Sequence, residues 1–150
     1  MSLFVENAGP MRKSIILFFT SLILFACKPA GSDPWKSTQL MEPKELAKRI
    51  QEGKNIPVIF NIGPLEELPG AIRIGAGEDE SSILKLREHA RSLSPDTEVV
   101  IYCGCCPFEN CPNIRPAFKA LTDADFKNHK LLNLKENLKV DWIDNGFPVQ

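Results

Sequence analysis

Histidine is nearly missing from this chain: two residues, His89 and His129, among 150. Neither is close to the cysteines in sequence, so no mixed Cys/His zinc pattern can be drawn, and both are expected at solvated positions. No long basic run occurs and the net charge is −1, which leaves no electrostatic footprint for a nucleic-acid partner. A phosphate-cradling loop is missing too, because GAGE (Gly75 to Glu78) is too short and wrongly spaced. There is no internal repeat or low-complexity block. The apolar run from Ile15 to Ala26 has twelve residues. At about 1.5 Å per residue it makes roughly 18 Å of helix, short of the roughly 30 Å of a hydrocarbon core. What is present is an ordinary globular balance, 43% apolar and 25% charged residues. The length suits one domain with a core that needs neither metal nor disulfide to fold.

Arg12 and Lys13, the short apolar run and small Ala26 before Cys27 form the pattern of a secretory signal, expected over residues 1–26. The ending Leu24-Phe25-Ala26-Cys27 resembles the lipobox of bacterial lipoproteins. That resemblance implies a lipid on Cys27 and a membrane anchor through it. It also implies a place in the bacterial cell envelope, facing the periplasm or the exterior. Residues 27–40, with the Pro, Gly and Ser of KPAGSDP, are expected to be a tether.

Residues 41–150 read as the folded domain. Pro43 suits the first turn of a helix that Gly53 closes, with Leu46 and Ile50 on one face. Ile56 to Ile62 and Glu98 to Tyr102 are continuous apolar runs of strand length. A short strand is expected around Ala71 to Ile74, and another at HKLLNL from His129. Ser81 or Ser82 can cap a helix reaching about Arg91, with Asp79 and Glu80 placed for its positive end. Pro116 sits in the first turn of a further helix, and VDWIDNG forms a last short one that buries Trp142. Strands alternating with helices predict an α/β fold, a central parallel sheet flanked by helices on both faces. In such sheets ligands bind beyond the carboxyl ends of the strands.

Cys103, Cys105, Cys106 and Cys111 all fall at one such end, within nine residues. Three uses of them are open: a metal site, structural disulfides, or one reactive thiol with partners. The spacing C-x-C-C-x4-C is not the paired Cys-x2-Cys of a zinc site, so no metal or cofactor is expected. Disulfides suit an oxidising compartment, although adjacent Cys105 and Cys106 could pair only with strain. Cys103 follows the strand directly, where loop N–H groups and a helix N-terminus stabilise a thiolate. Cys105, Cys106 and Cys111 can then act as resolving thiols.

The order of elements resembles the rhodanese-like sulfurtransferases. The matching pieces are VIFNI, LPGAIRI, EVVIYC, RPAFKAL, DFKNHKLLNL and WIDNGFPV, spanning about Lys36 to Val149. The resemblance implies a rhodanese-like fold and a catalytic Cys103 that carries sulfur as a persulfide, stabilised by backbone N–H groups of the loop. It also implies that Arg115, Gly104 and Asn113 bind substrate or support the loop. The implied partners are a small sulfur-containing substrate and a thiol acceptor. The segment Cys103 to Arg115 spans thirteen residues, against a usual active loop of about six. Asn61 and Gly63 stand where an acidic residue and an arginine are usual, and Pro107 and Pro112 remove N–H donors. Thiol–disulfide redox chemistry, or metal sensing by the loop, is the alternative use.

Overall fold

The structure, a computed structural model, describes residues 33–64 and 68–150. The expectations of a signal peptide over 1–26 and of lipid on Cys27 lie outside the described residues.

Five parallel strands build one sheet: β1 (Leu40–Met41), β2 (Val58–Asn61), β3 (Ile72–Arg73), β4 (Val99–Tyr102) and β5 (His129–Leu132), in the order β1-β5-β4-β2-β3. Helices α1 (Pro43–Glu52), α2 (Glu80–Arg91) and α3 (Ile114–Asp123) cover it, and a π-helical turn, Lys139–Ile143, closes the chain's last packed segment. The strands are buried on both faces because their side chains alternate between two cores. Val99, Ile101 and Cys103 join Phe60, Ile62 and Leu131 under α2 and α3. Val100 and Tyr102 join Ile59, Leu46 and Trp142 on the other face, under α1 and the terminal turn. An α/β fold with helices on both faces is therefore what the apolar strand runs encode.

Several local expectations are corrected. The cap of α2 is at Asp79, not at a serine, and Ser82 is buried inside the helix, its hydroxyl beside Gly75. His129 is buried rather than solvated. Its Nδ1 pairs with the Phe126 carbonyl at 2.9 Å and its Nε2 with the Thr122 hydroxyl at 3.1 Å. The end of the supposed tether belongs to the fold. Leu40 and Met41 pair with β5, and the Trp35 ring packs at 5.9 Å from Phe108 and 5.7 Å from Phe118.

Between β3 and β4 the chain crosses from one side of β2 to the other. The crevice at such a reversal, beyond the ends of β2 and β4, is where open parallel sheets take ligands. Gly63 leaves β2 there, and Cys103 leaves β4 beside it.

Candidate active site

Cys103 is the first residue past β4 and is 1% exposed. Its sulfur lies 3.2 Å from the Cys105 sulfur, which in turn lies 3.4 Å from that of Cys106. The Asn113 side-chain amide donates to the Cys103 sulfur at 3.3 Å. Cys111, fully buried, completes the group: the sulfurs of Cys103, Cys105 and Cys111 all lie within 4.8 Å of one another.

The long loop is folded back on itself, which is how residues so far along the chain return to Cys103. Gly104 takes a φ of 85°, a left-handed conformation that turns the chain immediately after the strand. Its carbonyl accepts the Leu138 N–H at 2.9 Å. Phe108 then inserts as an anchor, 7% exposed, at the start of a single 3₁₀ turn (Phe108–Asn110), and its N–H reaches the Leu134 carbonyl at 3.0 Å. The next residue is Cys111. Asn113, at the cap position of α3, does not cap the helix. It spans the crevice instead, its Oδ1 accepting the Glu78 N–H at 3.1 Å while its amide holds the sulfur.

By sequence alone, the chain matches no protein-family model and no curated protein. By structure it is similar to a full-length protein from Lactobacillus plantarum, with a TM-score of 0.57 and 16% identity over 75% of this chain and 88% of that one. It is also similar to the rhodanese-like domain of an Anabaena protein, with a TM-score of 0.54 and 19% identity over 75% of this chain and 78% of that one. The fold is rhodanese-like.

Within this fold the electrostatics of the loop separate the thiols. Cys103 is lowered to about 5, first by the Cys111 thiol donating to it. The Cys105 N–H, the Asn113 amide and the Cys105 thiol add to this against an opposing cost of burial. Cys105 is pushed up to about 12 by burial of its sulfur and by the Cys103 and Cys106 sulfurs beside it. Cys111 is raised as well, above all because its proton is held by Cys103. One negative charge thus serves the group and rests on Cys103. The donors are mostly side chains. The expected cradle of loop N–H groups is reduced to that of Cys105, and the side chains of Cys111, Asn113 and Cys105 stand in for the donors lost at Pro107 and Pro112.

Arg115 points elsewhere. Its guanidinium pairs with Asp33, donates to the Glu109 carbonyl at 2.7 Å and lies 5.2 Å over the Trp35 ring. Gly104 and Asn113 are both in the loop's framework. Cys106 is half-buried next to Cys105.

Two glycines, Gly63 and Gly77, shape the site through close approaches that the sequence reading did not assign to them. A Cβ on Gly63 would stand 2.3 Å from the Cys103 carbonyl oxygen and 2.7 Å from its sulfur. Gly77 would meet the Asn113 carbonyl at 2.2 Å. Their only signal was a glycine directly after a strand or turn, where close backbone approach is one of several reasons for it.

Proposed function

We propose that this domain is a sulfurtransferase of the rhodanese type, with Cys103 carrying sulfane sulfur as a persulfide. The observation that carries this reading is the setting of Cys103 at the end of β4. Its sulfur is buried, accepts from the Cys111 thiol and from the Asn113 amide at 3.3 Å, and lies 3.2 Å from the Cys105 sulfur. These donors lower its pKa, while the pKa values of Cys105 and Cys111 are raised. A Cys103 thiolate attacks the outer sulfur of a donor such as thiosulfate. The donor's S–S bond breaks, sulfite leaves with the electron pair, and Cys103 becomes the persulfide. A thiolate acceptor then attacks the outer sulfur, and Cys103 departs as thiolate. A low pKa makes it a good leaving group in this second step. Attack by Cys105 would give a Cys103–Cys105 disulfide and release hydrosulfide, but it requires Cys105 to lose its proton first. Transfer outward is therefore favoured over internal pairing. The short Cys103–Cys105 distance of 3.2 Å keeps the redox use as the second reading, under oxidising conditions.

The rhodanese-like fold and the thiol cluster support this reading. The leader pattern ending at Cys27 supports a further one: a lipid-anchored domain at the bacterial envelope, with its catalytic loop in the periplasm or outside. The mass of the mature chain, with or without acyl groups on Cys27, checks that part.

Single-turnover mass mapping with thiosulfate tests the chemistry. The parent chain is expected to gain one sulfur atom on Cys103, and Cys103→Ser none. Equal sulfur uptake by the serine variant would refute the assignment.

A further inference from the structure

Sulfur transfer needs one thiolate, and a disulfide needs two cysteines. This loop brings three sulfurs to one point, and the third is fetched from Cys111 across a folded turn. Metal coordination is the chemistry that uses three mutually adjacent thiolates. We infer that Cys103, Cys105 and Cys111 form a trigonal thiolate site for a single soft cation of the Cu(I) class.

The geometry is close to what such an ion needs. With a metal–thiolate bond of about 2.3 Å, a trigonal plane sets its sulfurs about 4.0 Å apart. The three sulfurs lie within 4.8 Å of one another, so a centre among them is within bonding reach after small shifts. Cys103 and Cys105, at 3.2 Å, have to separate by roughly 0.8 Å to reach that spacing. Cys105 is exposed and can supply this motion, while Cys103 and Cys111 are fixed in the core. The exposed corner is also the way in.

The donor set selects the ion. Among the described residues no carboxylate or imidazole joins this group, so hard cations find no oxygen ligands. Soft thiolates favour Cu(I), and three ligands suffice for it, whereas zinc in a closed site takes four. Cys106 touches Cys105 at 3.4 Å but does not belong to the mutually close set. Asn113 and Gly63 pin Cys103 from two sides, which orders one corner before any ion arrives. On coordination the thiol protons of Cys105 and Cys111 leave to solvent, and no electron moves. Spacing along the chain argued against a metal site; the back-folded loop supplies what that spacing lacked.

The site shares Cys103 with the proposed sulfur chemistry, so a bound cation blocks persulfide formation. The full chain, reduced and kept anaerobic, is titrated with Cu(I) against a chromogenic Cu(I) chelator, and the loaded protein is examined by X-ray absorption. One Cu(I) per chain with three sulfur neighbours is expected. Cys105→Ser and Cys111→Ser should each weaken binding at least about tenfold, and Cys106→Ser should leave it unchanged. Cys105 is exposed, so its variant keeps the fold even if the buried Cys111→Ser does not; circular dichroism of each variant checks this. Failure to compete with the chelator would overturn the site, as would two sulfur neighbours or a fourth that disappears in Cys106→Ser. Sulfur uptake by the metal-free chain is measured separately, so either proposal can fail alone.

Discussion

Replacing Asn113 by aspartate keeps the shape of the side chain and reverses its effect on Cys103. The parent amide donates to the sulfur at 3.3 Å and accepts the Glu78 N–H at 3.1 Å. A carboxylate in its place still accepts from Glu78, but it loses the donor and sets a negative charge against the thiolate. At that separation, with an effective dielectric near 20, two unit charges repel by about 5 kcal/mol. That is an upper bound of roughly 3 to 4 pKa units, and solvent at the exposed Cys105 side reduces it. Cys103, held at about 5 in the parent, is then expected to titrate at about 7 or above in Asn113→Asp. The carboxylate and the thiol would release their protons as a coupled pair, so the measured midpoint belongs to both. Asn113→Ala removes the donor without adding charge. A hydrogen bond to a charged group contributes about 1.5–3 kcal/mol, so a rise of roughly 1 to 2 units is expected. The assay is the pH dependence of Cys103 modification by a small alkylating agent, read by peptide mass, together with the single-turnover rate of sulfur uptake. The midpoint should rise in the order parent, alanine, aspartate. A midpoint in Asn113→Asp within about half a unit of the parent would refute the claim that Asn113 stabilises the thiolate.

Gly63→Ala forces a methyl group onto a backbone oxygen that cannot move aside. It should cost about 1–3 kcal/mol in urea unfolding and lower sulfur uptake by displacing Cys103; an unchanged midpoint would contradict the packing described. Trp35→Ala should destabilise by about 2 kcal/mol, less than a fully buried tryptophan, if residues from Trp35 onward belong to the fold; urea unfolding reads this. His129 is buried and its pKa lies below the ordinary 6.5, so the unfolded chain takes up the proton first. Stability is therefore full above about pH 6.5 and declines below it, by at most about 1.4 kcal/mol per unit, until the lowered native value is passed. His129→Asn should flatten that acid slope in urea unfolding at pH 7.5 and 5.5, whatever its effect on absolute stability.

Much of the fold was legible because it is written in runs. The apolar stretches around Phe60 and Ile101 could only be strands buried on both faces, and Pro43 with Gly53 bounded α1 within its observed limits. The misses are short or tertiary in origin. β1 has two residues and no periodicity to show. His129 is polar by type, but the fold places it against Phe118, with ring centroids 4.4 Å apart, and satisfies both of its nitrogens. Arg115 could be located at the end of the loop, yet its direction depends on Asp33 and Trp35, about eighty residues earlier. No local pattern carries that information.

The loop itself was legible only at its first residue. A cysteine directly after a buried apolar strand implies a stabilised thiolate at the strand's carboxyl end, and Cys103 has that position. The role of the remaining length depended on a fold-back that spacing does not encode. Pro107 and Pro112 remove N–H groups, and a shorter loop built that way would leave the thiolate short of donors. The added residues change the source of those donors: Phe108 anchors the turn, Cys111 returns as a thiol, and Asn113 spans to Glu78. A sulfur held by side chains responds to substitution differently from one held by backbone. The side-chain donors can be substituted one at a time, while the Cys105 N–H stays in every variant. The contributions of the Cys111 thiol, the Asn113 amide and the Cys105 thiol to the Cys103 midpoint can therefore be separated in double-mutant cycles, which a backbone cradle does not permit.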